Sequence, residues 1–408
     1  MVAARFISRV GGTAVFFIGV WGVAAYSFHA SARTLAIVMA GNSIAAIIGS
    51  IAAGVLVDRI GPRRVLLYAE LLTIPVVIAL VFAKSWVVFV ALAWLLGLVG
   101  TPTFTAGASF APFLVSGANR LERVNSVLEG AGSAGFVLGP AIGALIAKFA
   151  GVSAVFWLMA GCSVVAAVLA FNVHIDDAIV AEHHHPLAEF RDGLRVSYSS
   201  RTLRYVILSG TAVWFGFGAF SALEPLFYRD VVHVGVEWIG WMNTAFSVGL
   251  IGGAWLLPRL TSKVVSARGL ALMTSLCGLG AVAYVGTTDL RVIAVGAALW
   301  GLVLGVTEPL MRTILHVAAP EGYVGRVVGT SQYHRSAGEL VPLAFAPALA
   351  VAFGVQATLI VGGLLVAVGV LASWPIAASI DRELAATGRS MAARTHSDAR
   401  IGLGDELL

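Results

Sequence analysis

Charge is scarce in this 408-residue chain: only 12% of its residues are Asp, Glu, Lys or Arg, against 59% hydrophobic. So little charge excludes a water-soluble globule of this length, and a mean hydropathy of +0.92 points the same way. Cysteine is nearly absent. Cys162 and Cys277 both sit inside apolar runs, so neither a disulfide framework nor a nucleophilic thiol is expected. No glycine loop precedes a Lys-Ser or Lys-Thr pair, and no zincin motif occurs. ATP-driven transport by this chain alone is therefore not expected, nor is a zinc site of that kind. No nucleophile–base constellation stands out either, so no enzyme activity is expected.

What is present is a series of long uncharged runs, such as 10–28, 34–57 and 86–117. Lipid offers the backbone no hydrogen-bond partners, so such runs must be helices or barrel strands. Barrel strands would alternate polar and apolar residues, and these runs do not. The reading is an all-α integral membrane protein of twelve transmembrane helices. The first is expected over 10–28, the fourth over 86–115, the fifth over 125–147 and the last over 356–379. Residues 1–171 and 205–379 would each form a pseudo-symmetric six-helix bundle. A central loop, 172–204, joins them, and a tail, 380–408, is expected to be disordered. Arg5, Arg9, the first apolar run and Ala30-Ser31-Ala32 mimic a secretory signal. The run is too long for a signal core, and cleavage would leave an odd number of spans, so it is kept as span one.

Basic residues orient the helices. With the N-terminus inside, 19 of the 26 lysines and arginines fall in cytoplasmic segments and five in outer loops. Arg312 and Arg335 lie within spans. Both termini are thus expected in the cytoplasm, and the net charge of +5 reflects topology rather than nucleic-acid binding. The halves also repeat. Shifting 123–154 by 203 positions onto 326–357 gives ten identities in 32 without a gap, including Ser133-Ala134-Gly135 with Ser336-Ala337-Gly338. Span five is therefore paired with span eleven, the pattern of a parallel-repeat transporter.

The densest cluster of charge lies between spans two and three, in GVLVDRIGPRRVL. Gly54 and Gly61 allow a tight turn and a close neighbour, Pro62 suits the first turn of a helix, and Arg59, Arg63 and Arg64 resist translocation. The pattern Gly54-x-Leu56-x-Asp58-Arg59-x-Gly61-x-Arg63-Arg64 resembles the loop 2–3 signature of the major facilitator superfamily of twelve-helix solute transporters. That resemblance implies a conformational latch formed by Gly54, Asp58, Gly61, Arg63 and Arg64, with Asp58 near the start of span eleven. A helix N-terminus stabilises an anion by about 0.3–1 kcal/mol, a suitable strength for a latch that must reopen. The equivalent loop of the second half, LPRLTSKVVSA, lacks the acid and both glycines, so the latch is one-sided.

A second pattern, Gly135, Gly139, Pro140 and Gly143, puts three glycines on one face of span five, a smooth stripe for close packing. It resembles the antiporter motif of drug exporters, although Ala144 stands where a further glycine is usual. The strings around Asn119, Asn125-Ser126 and Gly325-Arg326-Val327 are similar to the enterobactin-exporter and macrolide-efflux branch. The basic residue that many proton antiporters carry in span four is missing here.

Ionisable residues inside spans are costly and default to functional candidates. Glu224-Pro225-Leu226 on span seven and Glu308-Pro309-Leu310 on span ten echo each other. In the superfamily these spans, with one and four, line the central cavity. Glu308 has Arg312 four residues on, and Arg335 precedes Glu339 by the same spacing, so in-helix pairs are expected, and the adjacency of spans ten and eleven could join the four charges into one network. Glu308, then Glu224, are the first candidates for proton coupling, with Arg312, Arg335 and Glu339 as partners. Glu70 and Glu129 read as partners of loop arginines. Trp21, Trp214, Phe217 and Trp300 are candidate substrate contacts, with packing or lipid-facing roles as the alternative. His183-His184-His185 lacks ligand spacing, so no metal is expected. The segment around Phe190, Leu194 and Tyr198 is amphipathic and could lie on the inner membrane surface.

The expected function is secondary export of a small amphipathic molecule, such as a drug, antibiotic or siderophore-like compound, by alternating access and proton antiport. The cell membrane of a bacterium would hold it as a monomer. No cofactor is expected, the proton gradient being the energy source. The partners are the small-molecule substrate, protons and the lipid bilayer, and no nucleic acid. A proton-coupled importer, a lysophospholipid flippase and a non-transporting receptor are the competing readings.

Overall fold

The structure is a computed structural model that describes residues 1–114, 118–173, 186–260, 264–320 and 322–386. Among these residues every regular element is helical. Twelve helical segments form the spans. The first six are Val2–Ser27, Ala32–Ile60, Pro62–Val81, Trp86–Ala108, Ala118–Ala150 and Ala154–Phe171. The second six are Arg201–Val232, Glu237–Leu256, Ala267–Val285, Leu290–Ala318, Val324–Phe353 and Val355–Ala372. Eleven are long and apolar enough throughout to cross a membrane. Span eight, Glu237–Leu256, is diluted by Asn243, Thr244 and Ser247 near its middle. Large apolar side chains point outward: Val351 is 85% exposed and Phe149 80%. Such a surface suits lipid and would be a liability in water.

The charged strip between spans two and three is now explained in part. Gly61 ends span two at φ +81°, where a side chain would be strained, and Pro62 opens span three. Arg63 donates to the carbonyls of Ala170 (Nε, 3.3 Å) and Phe171 (Nη2, 2.5 Å). These are the terminal carbonyls of span six, of which that of Ala170 also accepts from the Val173 backbone N–H (3.2 Å), so the arginine caps that helix end and complements its dipole. Gly54 departs from expectation. It lies inside span two, with no atom within 4 Å of where a Cβ would stand, so it accommodates no close neighbour.

Several boundaries move. Span one begins at Val2, not near residue 10: Arg5 pairs with Glu129 and Arg9 packs against Phe104 and Phe136, so neither needs a loop. Span four ends at Ala108, followed by the short turn Ala111–Leu114, and span five starts at Ala118. Span twelve stops at Ala372. A further helix, Trp374–Ala386, occupies the start of the expected tail, burying Ala377 and Ile380 among Leu203, Ala267 and Leu315. Its Asp381 accepts from the backbone N–H groups of Ala267 (2.9 Å) and Arg268 (3.2 Å), an anion on the positive end of span nine. Residues 387–408 lie outside the described residues. The amphipathic segment is a helix, Pro186–Ser199, but its buried face is Gly193 and Ser197. A Cβ on Gly193 would stand 2.8 Å from the carbonyl oxygen of Arg326, so the helix seats on the start of span eleven. Tyr198 and His334 share a 2.7 Å hydrogen bond there.

The repeat extends beyond its sequence identities. Gly151 and Gly354, equivalent under the 203-residue shift, end spans five and eleven at φ +88° and +89°. Spans one and seven both finish in π-helical turns, Val23–Ser27 and Phe227–Val232. The left-handed residues His29 and His233 follow them.

The chain divides into two compact units: Met1–His183 with Ala222–Ser247, and His184–Ser221 with Val248–Leu408. In the first, the end of span seven and span eight pack on spans one and five. Arg229 donates to the carbonyls of Ala25 (2.5 Å) and Ala30 (3.1 Å), and Tyr26 donates to that of Val234 (3.0 Å). Ile18, Leu35, Phe89, Phe156 and Phe227 fill this unit's core. The second unit centres on Leu203, Ile207, Leu310, Ile314 and Val327.

Candidate functional site

Three helices of the second unit bring a charged group and aromatic rings together. Glu308 on span ten accepts from Arg335 Nη1 on span eleven at 2.6 Å. It also accepts from the indole Nε1 of Trp214 on span seven at 3.1 Å. The Arg335 guanidinium lies 4.3 Å from the centre of the Trp214 ring, an orientation favoured by the ring quadrupole. Both carboxylate oxygens are thereby engaged, one by a cation and one by a neutral donor. The pair is only partly enclosed, with side-chain exposures of 15% for Arg335 and 19% for Glu308.

The expected in-helix pairs do not form. Arg312 is exposed and bonds neither glutamate among the described residues. Glu308 turns instead toward spans seven and eleven, where a less hydrated environment strengthens its charge-assisted bonds. Glu339 bonds to Ser221 across helices (3.5 Å), and its backbone carbonyl lies against Gly218 of span seven.

From Trp214 a series of rings leads away from the ion pair. Trp214 stacks on Phe217 (5.1 Å between centroids) and Phe217 on Trp300 (4.7 Å). Phe220 and Tyr284 complete the shelf at 4.8 and 5.5 Å from Trp300. A small apolar crevice beside it is lined by Val213, Phe217, Cys277, Trp300 and Gly363. Three of the four aromatic candidates are therefore gathered beside Glu308. Trp21, by contrast, is buried in the first unit, with its Nε1 2.8 Å from the sulfur of Met39. Its surroundings are those of a packing residue.

In the first unit Glu224 is buried and accepts from Asn243 Nδ2 at 3.3 Å. Its neighbour Arg229 pairs with Asp230 at 2.6 Å. The glycine stripe packs span five on span one. A Cβ at Gly135 would meet the Phe6 carbonyl at 2.8 Å, and one at Gly139 would meet the Val10 carbonyl at 2.7 Å. At Gly143 the nearest atoms belong to Ile18 and Ala14, at 3.1 and 3.2 Å. Asp58 is exposed and hydrogen-bonds to nothing among the described residues. His183-His184-His185 lies outside the described residues. No group of three or more potential metal ligands occurs among the described ones.

Three contacts follow from no motif, although Glu129, read as the partner of a loop arginine, does pair with Arg5. Glu70 of span three is fully buried and accepts from Ser8 of span one at 2.5 Å, not from a loop arginine. Arg5 reaches Glu129 at 2.5 Å, passing Gly107 and Gly132. Arg9 lies over the rings of Phe104 (4.6 Å) and Phe136 (5.1 Å). The glycines at 132 and 135 were the available signal, since small residues on span five leave room for long side chains from span one.

A polytopic helical protein with an internal parallel repeat, membrane-embedded ion pairs and glycine-lined helix contacts has the build of a solute transporter. The family model of the Major Facilitator Superfamily matches residues 1–342, and the chain belongs to that superfamily. It is accordingly a transporter and not an enzyme. Relatives include the multidrug efflux pump Tap of Mycolicibacterium fortuitum, 29% identical over 81% of this chain and 84% of that protein. Another is the staphyloferrin B transporter of Staphylococcus aureus, 25% identical over 75% of this chain and 74% of that one. Among solved structures, the nucleoside transporter NupG superposes with a TM-score of 0.71 at 10% identity, covering 92% of this chain and 97% of that one. A peptide transporter, POT, in complex with sulfate gives 0.72 at 15%, covering 93% and 94%. These two likenesses concern the fold alone.

Proposed function

We propose that this chain exports a small amphipathic molecule across a bacterial cytoplasmic membrane by alternating access, with inward proton movement as the driving force. The observation that carries this reading is the Glu308–Arg335–Trp214 cluster beside an aromatic shelf. It is a partly enclosed carboxylate that a proton can neutralise, next to rings that suit an apolar cargo. The likeness to multidrug efflux pumps supports the outward direction. With Arg5 and Arg9 set aside because they lie in span one, 17 basic residues assigned to cytoplasmic segments against five in outer loops support cytoplasmic termini.

Protonation of Glu308 removes the charge that holds Arg335, freeing the guanidinium to move away from Trp214. Span ten and span eleven are thereby uncoupled at one contact, a bistable element of the kind a transport cycle requires. Glu224 is the second candidate for the proton. Asp58 serves as the latch, aided by the turn at Gly61. The glycine stripe of span five lets that helix pack closely on span one. One proton crossing 100 mV releases about 2.3 kcal/mol, and a pH unit adds about 1.4 kcal/mol. Together they support a gradient of a few hundred-fold for a one-to-one exchange.

The test is an expression-and-sensitivity screen across many compounds, with transport direction measured in everted vesicles. An exporter raises tolerance and accumulates the same compound in everted vesicles. Lowered tolerance with uptake into intact cells would replace this reading by an importer. Headgroup-dependent lipid movement without altered tolerance would replace it by a flippase.

A further inference from the structure

Arg9 is a membrane-embedded cation with no hydrogen-bonded counter-ion among the described residues: Glu129 acts on its charge but is bonded to Arg5. It stands on span one, where an unpaired guanidinium is costly unless it meets water or a ligand. Phe104 of span four and Phe136 of span five cover it at 4.6 and 5.1 Å. Among the described residues no acceptor is within hydrogen-bond distance of its nitrogens. The neighbouring Arg5 takes the nearby carboxylate, Glu129, at 2.5 Å. Arg5 and Arg9 share one neighbouring carboxylate, Glu129, to which of the two only Arg5 bonds, while Glu70, the other acid against span one, is bound to Ser8.

The surroundings hold the side chain in place. Gly135 admits its stem, since a Cβ there would stand 2.8 Å from Arg9 Cβ, and Gly12 faces Phe104. Both rings lie against the guanidinium, and among the described residues no acceptor takes up its N–H groups. The guanidinium is largely desolvated, yet no Arg9 nitrogen is fully enclosed without a partner as Arg5 Nε and Arg335 Nε are. Phe104 itself remains 38% exposed. Phe136 continues into Phe17, edge to face at 6.0 Å. A fixed planar cation with unbonded donor groups, set among aromatic rings, matches an oxyanion carried on an aromatic ring, bonded bidentately while the ring packs beside it.

We infer that Arg9, with Phe104 and Phe136, is a recognition site for the anionic oxygen group of an aromatic substrate. This inference rests on the chain being a transporter of small molecules and deepens the proposed function by naming the charge class of its cargo. Outward movement of such an anion also runs down an inside-negative membrane potential, in the same electrical sense as inward proton movement.

The test uses the full chain in lipid nanodiscs and two fluorescent probes of nearly equal shape, the anion dansylate and the neutral dansylamide, with empty nanodiscs subtracted. The wild type is expected to bind dansylate at least tenfold more tightly than dansylamide. Arg9→Gln is expected to abolish that preference while leaving dansylamide binding within twofold. Arg9→Lys keeps a charge but loses the fork, and is expected to retain a preference of a few-fold. If Arg9→Gln does not fold, Arg9→Lys and Phe104→Leu carry the test, each lowering the preference. An equal response to both probes in the wild type, binding of neither, or a preference unchanged by every folded variant overturns the inference. Binding needs no gradient and has no direction. Arg9-dependent dansylate binding without export therefore overturns the proposed function alone, and export without charge preference overturns this inference alone.

Discussion

Spans one and five make the same joint as spans seven and eleven, but the two joints are charged differently. Gly135 lies against the Phe6 carbonyl, and its repeat equivalent Gly338 lies against the Thr211 carbonyl. A Cβ at either would stand 2.8 Å from that oxygen. Beside the first joint the cation is Arg9, set against two phenyl rings and bonded to no carboxylate among the described residues. Beside the second it is Arg335, neutralised by Glu308 and covered by Trp214. The repeat has kept the backbone geometry of the helix contact and let the electrostatics diverge. One half holds a carboxylate–guanidinium pair, and the other a guanidinium with no bonded counter-ion among the described residues.

The strongest way to break this comparison is to remove one member of the pair. Glu308→Ala or Arg335→Met alone leaves a partly buried charge unpaired and is expected to cost about 2–4 kcal/mol, whereas the double variant recovers much of that. Thermal unfolding of the four proteins of the cycle measures it, and additive losses would mean that the pair contributes nothing. Next come the joints themselves. Gly139→Ala places a methyl 2.0 Å from Thr13 Oγ1 and 2.7 Å from a carbonyl, and is expected to cost about 1–3 kcal/mol. Gly151→Ala and Gly354→Ala force alanine to φ near +90°, for a cost of about 1–3 kcal/mol each. Near-equal losses sharpen the claim of a shared joint, and a large disparity weakens it.

Asp58→Asn should leave the melting temperature within a degree or two while slowing transport several-fold in everted vesicles. Unaltered transport would remove the latch. The smallest effect belongs to Gly54→Ala, where nothing stands within 4 Å of the new methyl. Helix propensity there favours alanine by about 0.5–1 kcal/mol, so a slight rise in stability is expected.

Much of the fold was legible because its signals are local. Apolar runs mark spans, Gly61-Pro62 marks a helix break, and three glycines four residues apart mark a packing face. The site was legible only in its residue types. Glu308 and Arg335 were both singled out, and the adjacency of spans ten and eleven allowed them a shared network, but helical spacing assigned Arg312 as the first partner of Glu308. The observed partner is 27 residues away on the next helix, a distance that periodicity does not address. Arg5 and Arg9 were read as topogenic charges because basic residues near an N-terminus usually are. Their real neighbours, Glu129, Phe104 and Phe136, come from two other spans. Glu70 meets Ser8 across 62 residues, and no motif announces that contact.

The most direct test concerns the proton at Glu308. Proteoliposomes carrying Glu308→Gln are compared with wild type using a substrate found in the sensitivity screen, once with an imposed pH gradient and once under substrate exchange without one. The account predicts that the variant keeps exchange within a few-fold of wild type and loses accumulation driven by the pH gradient. Wild-type accumulation by Glu308→Gln under that gradient would contradict it.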